Sequence, residues 1–280
     1  MDEHVIYYDR VQFCAFRAKI CYFLRKHPEF RRRRGLSRLT ISEMIRITLM
    51  VFRHNLKQKF VAGLYRIHQS TVSRILSWMR RVFLQVLGDY IPSPEDIISV
   101  VYDLLVRTTR PVILLVDGAL IPISQRRHNR ADYSGKHRKT GKNLQVVSDI
   151  KGKILHLGPI LPGRHHDRWA VKEPGIEEAL TDKPRLLVHA DKGYIGTDFI
   201  VPAKASKLHP LTIEQPVENK EINTIRCAVE RVIAGLKVLD ILRTGIRTHA
   251  PNRELAIKEI ISVAIGLFFF KQKMSTRLPA

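Results

Sequence analysis

Over residues 1–110 the apolar positions recur at helical spacing, three to four residues apart, whereas from 111 onward they bunch into short β-branched runs. The first stretch therefore predicts an almost wholly helical region. Within it, "LTISEMIRITLMVFRHN" starts at Thr40 with Glu43 three residues on, the pattern of a capping box. "LKQKFVAGLY" predicts the next helix, and "STVSRILSWMRRVFLQVL" follows after the short link "RIHQ". "GDYIPSPEDIISVVYDLL" (88–105), with Pro92 and Pro94, bridges to the second region. There "VILLV", "NLQVVSDI", "KILHLGPIL" and "RLLVHA" read as strands, with helical runs near 168–180 and 222–239. Strands first, then strands and helices mixed, predict an α/β domain around a central sheet. The pattern divides the chain into a helical segment 1–35, a helical region 36–110 and an α/β domain 111–275. "IISVAIGLFFF" (260–270) is too short to span a bilayer, which takes about 20 apolar residues, and predicts a buried closing helix.

Composition changes this picture in one respect. The 280 residues carry 48 Lys and Arg against 26 Asp and Glu, a net charge of +22. Such a surplus favours a polyanionic partner, because each neutralised phosphate releases condensed counterions. No basic amphipathic helix with an exposed aromatic face points to a membrane instead, so nucleic acid is the expected partner. "MDEHVIYYDR" opens acidic and lacks the apolar core of a signal peptide. Cys14, Cys21 and Cys227 are scattered and odd in number, which fits a reducing cytoplasm better than a disulfide framework or zinc site. The expected location is the cytoplasm, at the nucleoid in a bacterium.

The two central helices of the first region resemble a helix-turn-helix. Val61, Ala62, Tyr65, Ile67, Val72 and Ile75 would press the helices together, although Arg66 stands where the turn often has glycine. Gln69, Ser70, Thr71, Ser73 and Arg74 would then open the recognition helix and meet base edges or phosphates. A plain three-helix bundle is the other reading. The run "RRRRGLSR" (31–38) is a basic linker able to hold phosphates.

Candidate chemistry sits in the second region. "PVILLVDGALIPI" and "RLLVHADKGYIG" each run apolar and then stop at an aspartate, Asp117 and Asp191, with glycine at once or nearly so. A lone Asp-Gly after a strand is commonly a turn, and an isolated carboxylate there is costly to bury. A metal ion or another cation removes that cost, and two such strand ends in one basic domain argue against plain turns; the glycines would leave room for DNA. In "NTIRCAVERVIAGLK" a helix places Asn223, Arg226, Glu230 and Lys237 within an arc of about 60°. Ile225, Val229, Val232, Ile233 and Leu236 form an adjoining apolar face. By spacing alone this rail reads as an exposed Arg–Glu pair. "PGRHHDRWA" offers His165, His166 and Asp167, with Asp167 read as a helix cap or as a reserve carboxylate behind the ligands. The basic loop 124–142 adds Arg126, Arg127, Arg130, Lys136, Arg138 and Lys139 as possible DNA contacts.

Asp117, Asp191 and the N-x2-R-x3-E-x6-K rail together resemble the DDE transposases of bacterial insertion sequences, in the branch related to the Harbinger transposases. That family's helix commonly reads Y-x2-R-x3-E-x6-K, so Asn223 replaces a tyrosine. The stretch 132–167 is similar to the family's middle strands, its His-Asp pair corresponding to His166 and Asp167. The resemblance covers roughly residues 36–270. It implies an RNase H-like catalytic domain preceded by a helix-turn-helix DNA-binding region. It also implies that Asp117, Asp191 and Glu230 are catalytic and hold two Mg2+ ions, about 3.5–4 Å apart in such sites, with Mn2+ able to substitute. Arg226 and Lys237 would hold phosphate. The implied partner is double-stranded DNA, as transposon ends and target. The implied activity is cleavage at terminal inverted repeats and transfer of the 3′-OH ends into target DNA, by a dimer or higher multimer on the DNA. The alternative is a non-catalytic, sequence-specific DNA-binding regulator, and a nuclease that cuts without joining is a third reading.

Overall fold

A computed structural model describes residues 6–31, 38–92, 97–124, 130–205, 210–248 and 250–276. Arg126 and Arg127, and residues 32–37 of the arginine run, lie outside them. By its contacts the chain divides into two compact units, one of residues 1–91 with 236–280 and one of residues 92–235. The C-terminal segment thus belongs with the N-terminal helices rather than with the sheet that precedes it.

The first unit is helical: α1 (Arg10–Lys26), α2 (Ile41–His54), α3 (Gln58–Leu64) and α4 (Gln69–Leu87), then, after the second unit, α9 (Asp240–Thr244) and α10 (Arg253–Ser275). Helix α2 begins as its sequence requires. Thr40 accepts from the Glu43 N–H and Glu43 reaches back to the Thr40 N–H, satisfying two donors that the first turn leaves open. The apolar run of α10 is buried and packs along α4. Arg80 of α4 and Glu259 of α10 pair at 2.7 Å beside it. No helix among the described residues is long and apolar enough to cross a membrane.

The second unit opens with α5 (Ile97–Val106) and is built on a mixed sheet of β1 (Val112–Pro122), β2 (Tyr133–Ser134), β3 (Lys139–Asp149), β4 (Ile154–Leu157), β5 (Leu161–Pro162) and β6 (Leu186–His189). Its central order is β2-β3-β1-β6, with β4 and β5 also on β3. Between β5 and β6 the chain forms α6 (Asp167–Lys172) and α7 (Ile176–Leu180), and after β6 it forms α8 (Gln215–Leu236). This is the mixed α/β arrangement expected of the second region.

Strand β1 corrects one expectation. It does not stop at Asp117 but runs on to Pro122, because its antiparallel partner β3 is equally long and pairs with it from Leu114 through Pro122. What does stop is the parallel partner: β6 pairs with β1 only as far as Leu115 opposite His189. Side chains alternate between the faces of a strand. Leu114 and Val116 enter the core shared with Val171, Ile176 and Leu180, so Asp117 projects from the other face.

Candidate functional site

The last parallel pair is Leu115 with His189. Two residues further along each chain stand Asp117 and Asp191, so the sheet register brings the two distant acids level, at the point where the second strand ends. Beyond that point they differ. Asp117 is still in a strand, mostly buried, with Oδ1 accepting from the Gly118 N–H at 2.8 Å. Burial pushes its pKa up to about 6, and nearby Asp191 adds to the rise, against the pull of Arg226. Asp191 instead caps a 3-10 turn (Lys192–Tyr194), its Oδ1 accepting from the Gly193 N–H at 2.6 Å.

A third carboxylate enters from α6. Its N-cap is His166, whose side chain makes no capping hydrogen bond, and Asp167 is the first helical residue. Asp167 is therefore not the cap. Its carboxylate points back toward both strand ends, so near that a Cβ on Gly118 would lie 2.5 Å from its Oδ1 and one on Gly193 2.7 Å from its Oδ2. The glycines thus make room for a carboxylate of the protein itself, a correction to the expectation that they clear space for DNA.

Two cations of the chain stand among these acids. The Lys136 ammonium, from the turn between β2 and β3, donates to Asp167 Oδ2 at 2.6 Å and to Asp191 Oδ2 at 3.2 Å. The Arg226 guanidinium, buried on α8, lies 3.9 Å from both Asp117 Oδ2 and Glu230 Oε1. That is ion-pair range but too long for a hydrogen bond. Arg226 donates instead to Asn223 Oδ1 at 3.4 Å, and its buried Nε has no partner. Asn223, in the family's tyrosine position, thus steadies the arginine. Glu230 is largely exposed, its side chain at 58%. Lys237 falls outside α8, in the turn after it, so the helical rail comprises Asn223, Arg226 and Glu230.

Among the described residues no three His, Cys, Asp or Glu side chains form a ready metal cage. The donor set nevertheless fits a hard divalent ion. It is all carboxylate oxygen, converges on a cradle kept open by the two glycines, and already holds cationic side chains between its acids.

In the first unit, the turn between α3 and α4 has Arg66 at φ 51°, the left-handed backbone that glycine usually supplies there. Val61, Ala62, Val72 and Ile75 are buried, and Tyr65 and Ile67 half-buried, as the two-helix packing requires. His68 is the N-cap of α4 and accepts from the Ser70 N–H. Gln69, Ser70, Ser73 and Arg74 are exposed on its first turns, with Thr71 half-buried. Arg74 folds back, donating to the Ser70 carbonyl at 3.2 Å and to Thr71 Oγ1 at 3.4 Å.

Comparison with known proteins accounts for both halves. A profile described as DDE superfamily endonuclease matches residues 116–268, just over half of the chain. The chain belongs to the DDE superfamily of endonucleases. A second profile, described as the helix-turn-helix of DDE superfamily endonuclease, matches residues 37–89. The chain is also 31% identical over 176 residues to a probable transposase for insertion sequence element IS702 from Microchaete diplosiphon, a match spanning 56% of this chain and 62% of that protein. No solved structure matches it.

Asp117, Lys136, Asp167, Asp191, Arg226 and Glu230 all fall within the endonuclease match. Beneath the acids lies a polar network that the sequence reading passed over. The buried Tyr194 hydroxyl donates to Gln145 Oε1 at 2.5 Å, Gln145 donates to Asn143 Oδ1 at 2.9 Å, and Asn143 donates to the His165 carbonyl at 3.2 Å. Burial and the three aspartates hold the Tyr194 phenol well above its ordinary pKa, so it stays a neutral donor. The signal was present in "NLQVV", where polar Asn143 and Gln145 alternate with apolar residues inside a buried strand. His165 stacks on Trp169 with ring centroids 3.6 Å apart rather than joining the acids. Arg138 is exposed, at φ 50° in the same turn as Lys136.

Proposed function

We propose that this protein is a transposase. It cleaves DNA at terminal inverted repeats in a reaction that depends on divalent metal, and transfers the freed 3′-OH ends into target DNA. The observation that carries the reading is the convergence of Asp117, Asp167 and Asp191 at the end of the β1–β6 pairing, with Glu230 linked to Asp117 through Arg226. Asp117, Asp191 and Glu230 are the catalytic acids and hold two Mg2+ ions, or Mn2+ in their place. Those ions supply the positive charge that activates a water or a 3′-hydroxyl and stabilises the leaving oxygen.

The chain's own residues do the rest. The β1 ladder holds Asp117, the turn after β6 holds Asp191, and backbone N–H bonds fix the orientation of both carboxylates. Arg226 and Lys237 hold the scissile phosphate, the guanidinium suited to a forked grip and the ammonium acting as a point charge. Asn223 positions Arg226. Gln69, Ser70, Thr71, Ser73 and Arg74 read the transposon ends, and Arg126, Arg127, Lys136 and Arg138 contact the DNA backbone. By role, residues 36–110 are the DNA-binding region and 111–275 the catalytic domain, although 236–275 fold with the N-terminal helices. The protein acts in the cytoplasm as a dimer or higher multimer on two DNA ends.

The test is cleavage of DNA carrying the element's ends, with Mg2+ or Mn2+. Asp117→Asn, Asp191→Asn and Glu230→Gln are each expected to lower cleavage by at least ~10³-fold, since several kcal/mol of charge stabilisation goes with the metal. Undiminished cleavage in any of them overturns that residue's assignment. One observation favours a second reading, a non-catalytic DNA-binding regulator: the Glu230 side chain is largely exposed. Tight binding to the inverted repeats with no cleavage under any divalent ion would establish it.

A further inference from the structure

The turn joining β2 to β3 brings Lys136 from a loop whose composition reads as solvated charge onto the acids themselves. Its ammonium bridges Asp167 Oδ2 at 2.6 Å and Asp191 Oδ2 at 3.2 Å, carboxylates that come from a helix start and from a turn after β6. Without a cation, Asp167 and Asp191 would face each other across Gly193, whose missing side chain lets them approach. Like charges so placed repel strongly in a partly buried setting. The ammonium removes that repulsion from the position that an ion shared by the two acids would take. Lys136 is also half-exposed and carried by a turn, so it can leave without repacking the core.

We propose that Lys136 is a resident counter-ion of the acid cluster, occupying the divalent position between Asp167 and Asp191 and giving it up when metal enters, and that Asp167 is a fourth metal-holding carboxylate. This rests on the transposase reading and deepens it. The chain carries its own stand-in cation, so the cluster stays neutralised and folded while metal and DNA are absent. Metal entry swings the ammonium outward, where it is free to meet a phosphate. No proton need be gained or lost: the ammonium (+1) moves out as a divalent ion (+2) arrives, and the extra positive charge offsets more of the surrounding carboxylate charge.

The experiment measures Mn2+ binding by the full-length protein without DNA, following free Mn2+ by electron paramagnetic resonance. Lys136→Met removes the competitor and is expected to bind Mn2+ on the order of tenfold tighter. Its melting temperature should fall without metal and recover when Mn2+ is added. Lys136→Arg, which keeps the charge, should stay near the wild-type affinity, and Asp167→Asn should bind on the order of tenfold more weakly. A merely structural lysine would lower the melting temperature without tightening the metal. A second measurement uses the wild-type chain alone, so a misfolded variant cannot hide the answer. Acetylation of the Lys136 amine by acetic anhydride, read by mass spectrometry, should rise several-fold when Mg2+ is added. Unchanged acetylation, or Mn2+ affinity unchanged or weakened in Lys136→Met, overturns the counter-ion role, and unchanged affinity in Asp167→Asn overturns the fourth ligand. If the wild type binds Mn2+ in an Asp117-dependent way while these fail, only this inference falls. If the wild type binds no divalent ion, with or without DNA, the metal-dependent transposase reading falls with it.

Discussion

The two strand-end aspartates look alike as neighbours of glycine, yet they live in different environments. Asp117 belongs to a strand that continues past it, is held among buried residues, and has the Arg226 guanidinium 3.9 Å away. Asp191 sits where its strand has already ended, caps a short turn, and is bound directly by Lys136 at 3.2 Å. One acid is placed by a hydrogen-bond ladder and poorly neutralised. The other is placed by a local turn and neutralised by a half-exposed lysine side chain. A catalytic pair need not be symmetric to work as a pair: rigidity on one side and adjustability on the other serve different ends.

The comparison breaks most visibly at the glycines. Gly118→Ala would place a methyl 2.5 Å from Asp167 Oδ1 and 3.0 Å from Gln145 Nε2, on a strand that cannot yield. DNA cleavage should fall about 100-fold, the effect of misplacing a reacting group by about 1 Å. Gly193→Ala meets the Asp167 and Asp191 oxygens at 2.7 and 2.8 Å, but on an exposed turn, and should cost only about tenfold. Equal losses in a cleavage assay would show that the rigid and adjustable sides do not differ.

Next in size is a dependence on pH. The folded pKa of Asp117 is raised from 3.8 to about 6. Between those values the folded state holds more protons than the unfolded one, so stability falls as pH rises through that window and stays low above it. In chelator-treated protein, Asp117→Asn should therefore be more stable than wild type at pH 7.5, by roughly 2 kcal/mol. At pH 4 the gain should vanish, because the wild-type carboxyl is then protonated. Urea melts at the two pH values decide it, and a gain that persists at pH 4 would refute burial as the cause. The smallest effect lies on the other side. Asp191→Ala loses the acceptor for the Gly193 N–H and should cost about 1 kcal/mol, whereas Asp191→Asn keeps a capping oxygen and should cost almost none in the same melts.

What was legible in the chain was what local rules decide. Thr40 and Glu43 announced the start of α2, the spacing of Val61, Ala62, Val72 and Ile75 announced the helix pair, and β-branched runs announced β1, β3, β4 and β6. The order of Asp117, Asp191 and Glu230 was readable, and so was the family, which a profile match now shows. What escaped were matters of partner length and turn conformation. Nothing within "VILLVDGALIP" says that the strand survives its aspartate; that depends on β3 being as long. Nothing in "SGKHRK" says that Lys136 comes back onto two acids, because the turn's path, with Arg138 in the left-handed region, decides it. Asp167 looked like a helix cap because caps are chosen by neighbours in sequence, whereas its contacts come through the side chains that Gly118 and Gly193 lack.

The separation of Asp117 from Asp191 is dictated by rungs shared between adjacent strands and not by the chain that joins them. Loops between β1 and β6 can therefore lengthen, shorten or gain an inserted module while the two oxygens keep their spacing, provided β3 and the start of α6 stay in place. A one-residue slip of the ladder, by contrast, would turn one acid to the opposite side of the sheet. Related enzymes can thus diversify freely in their excursions and hardly at all in their alignment.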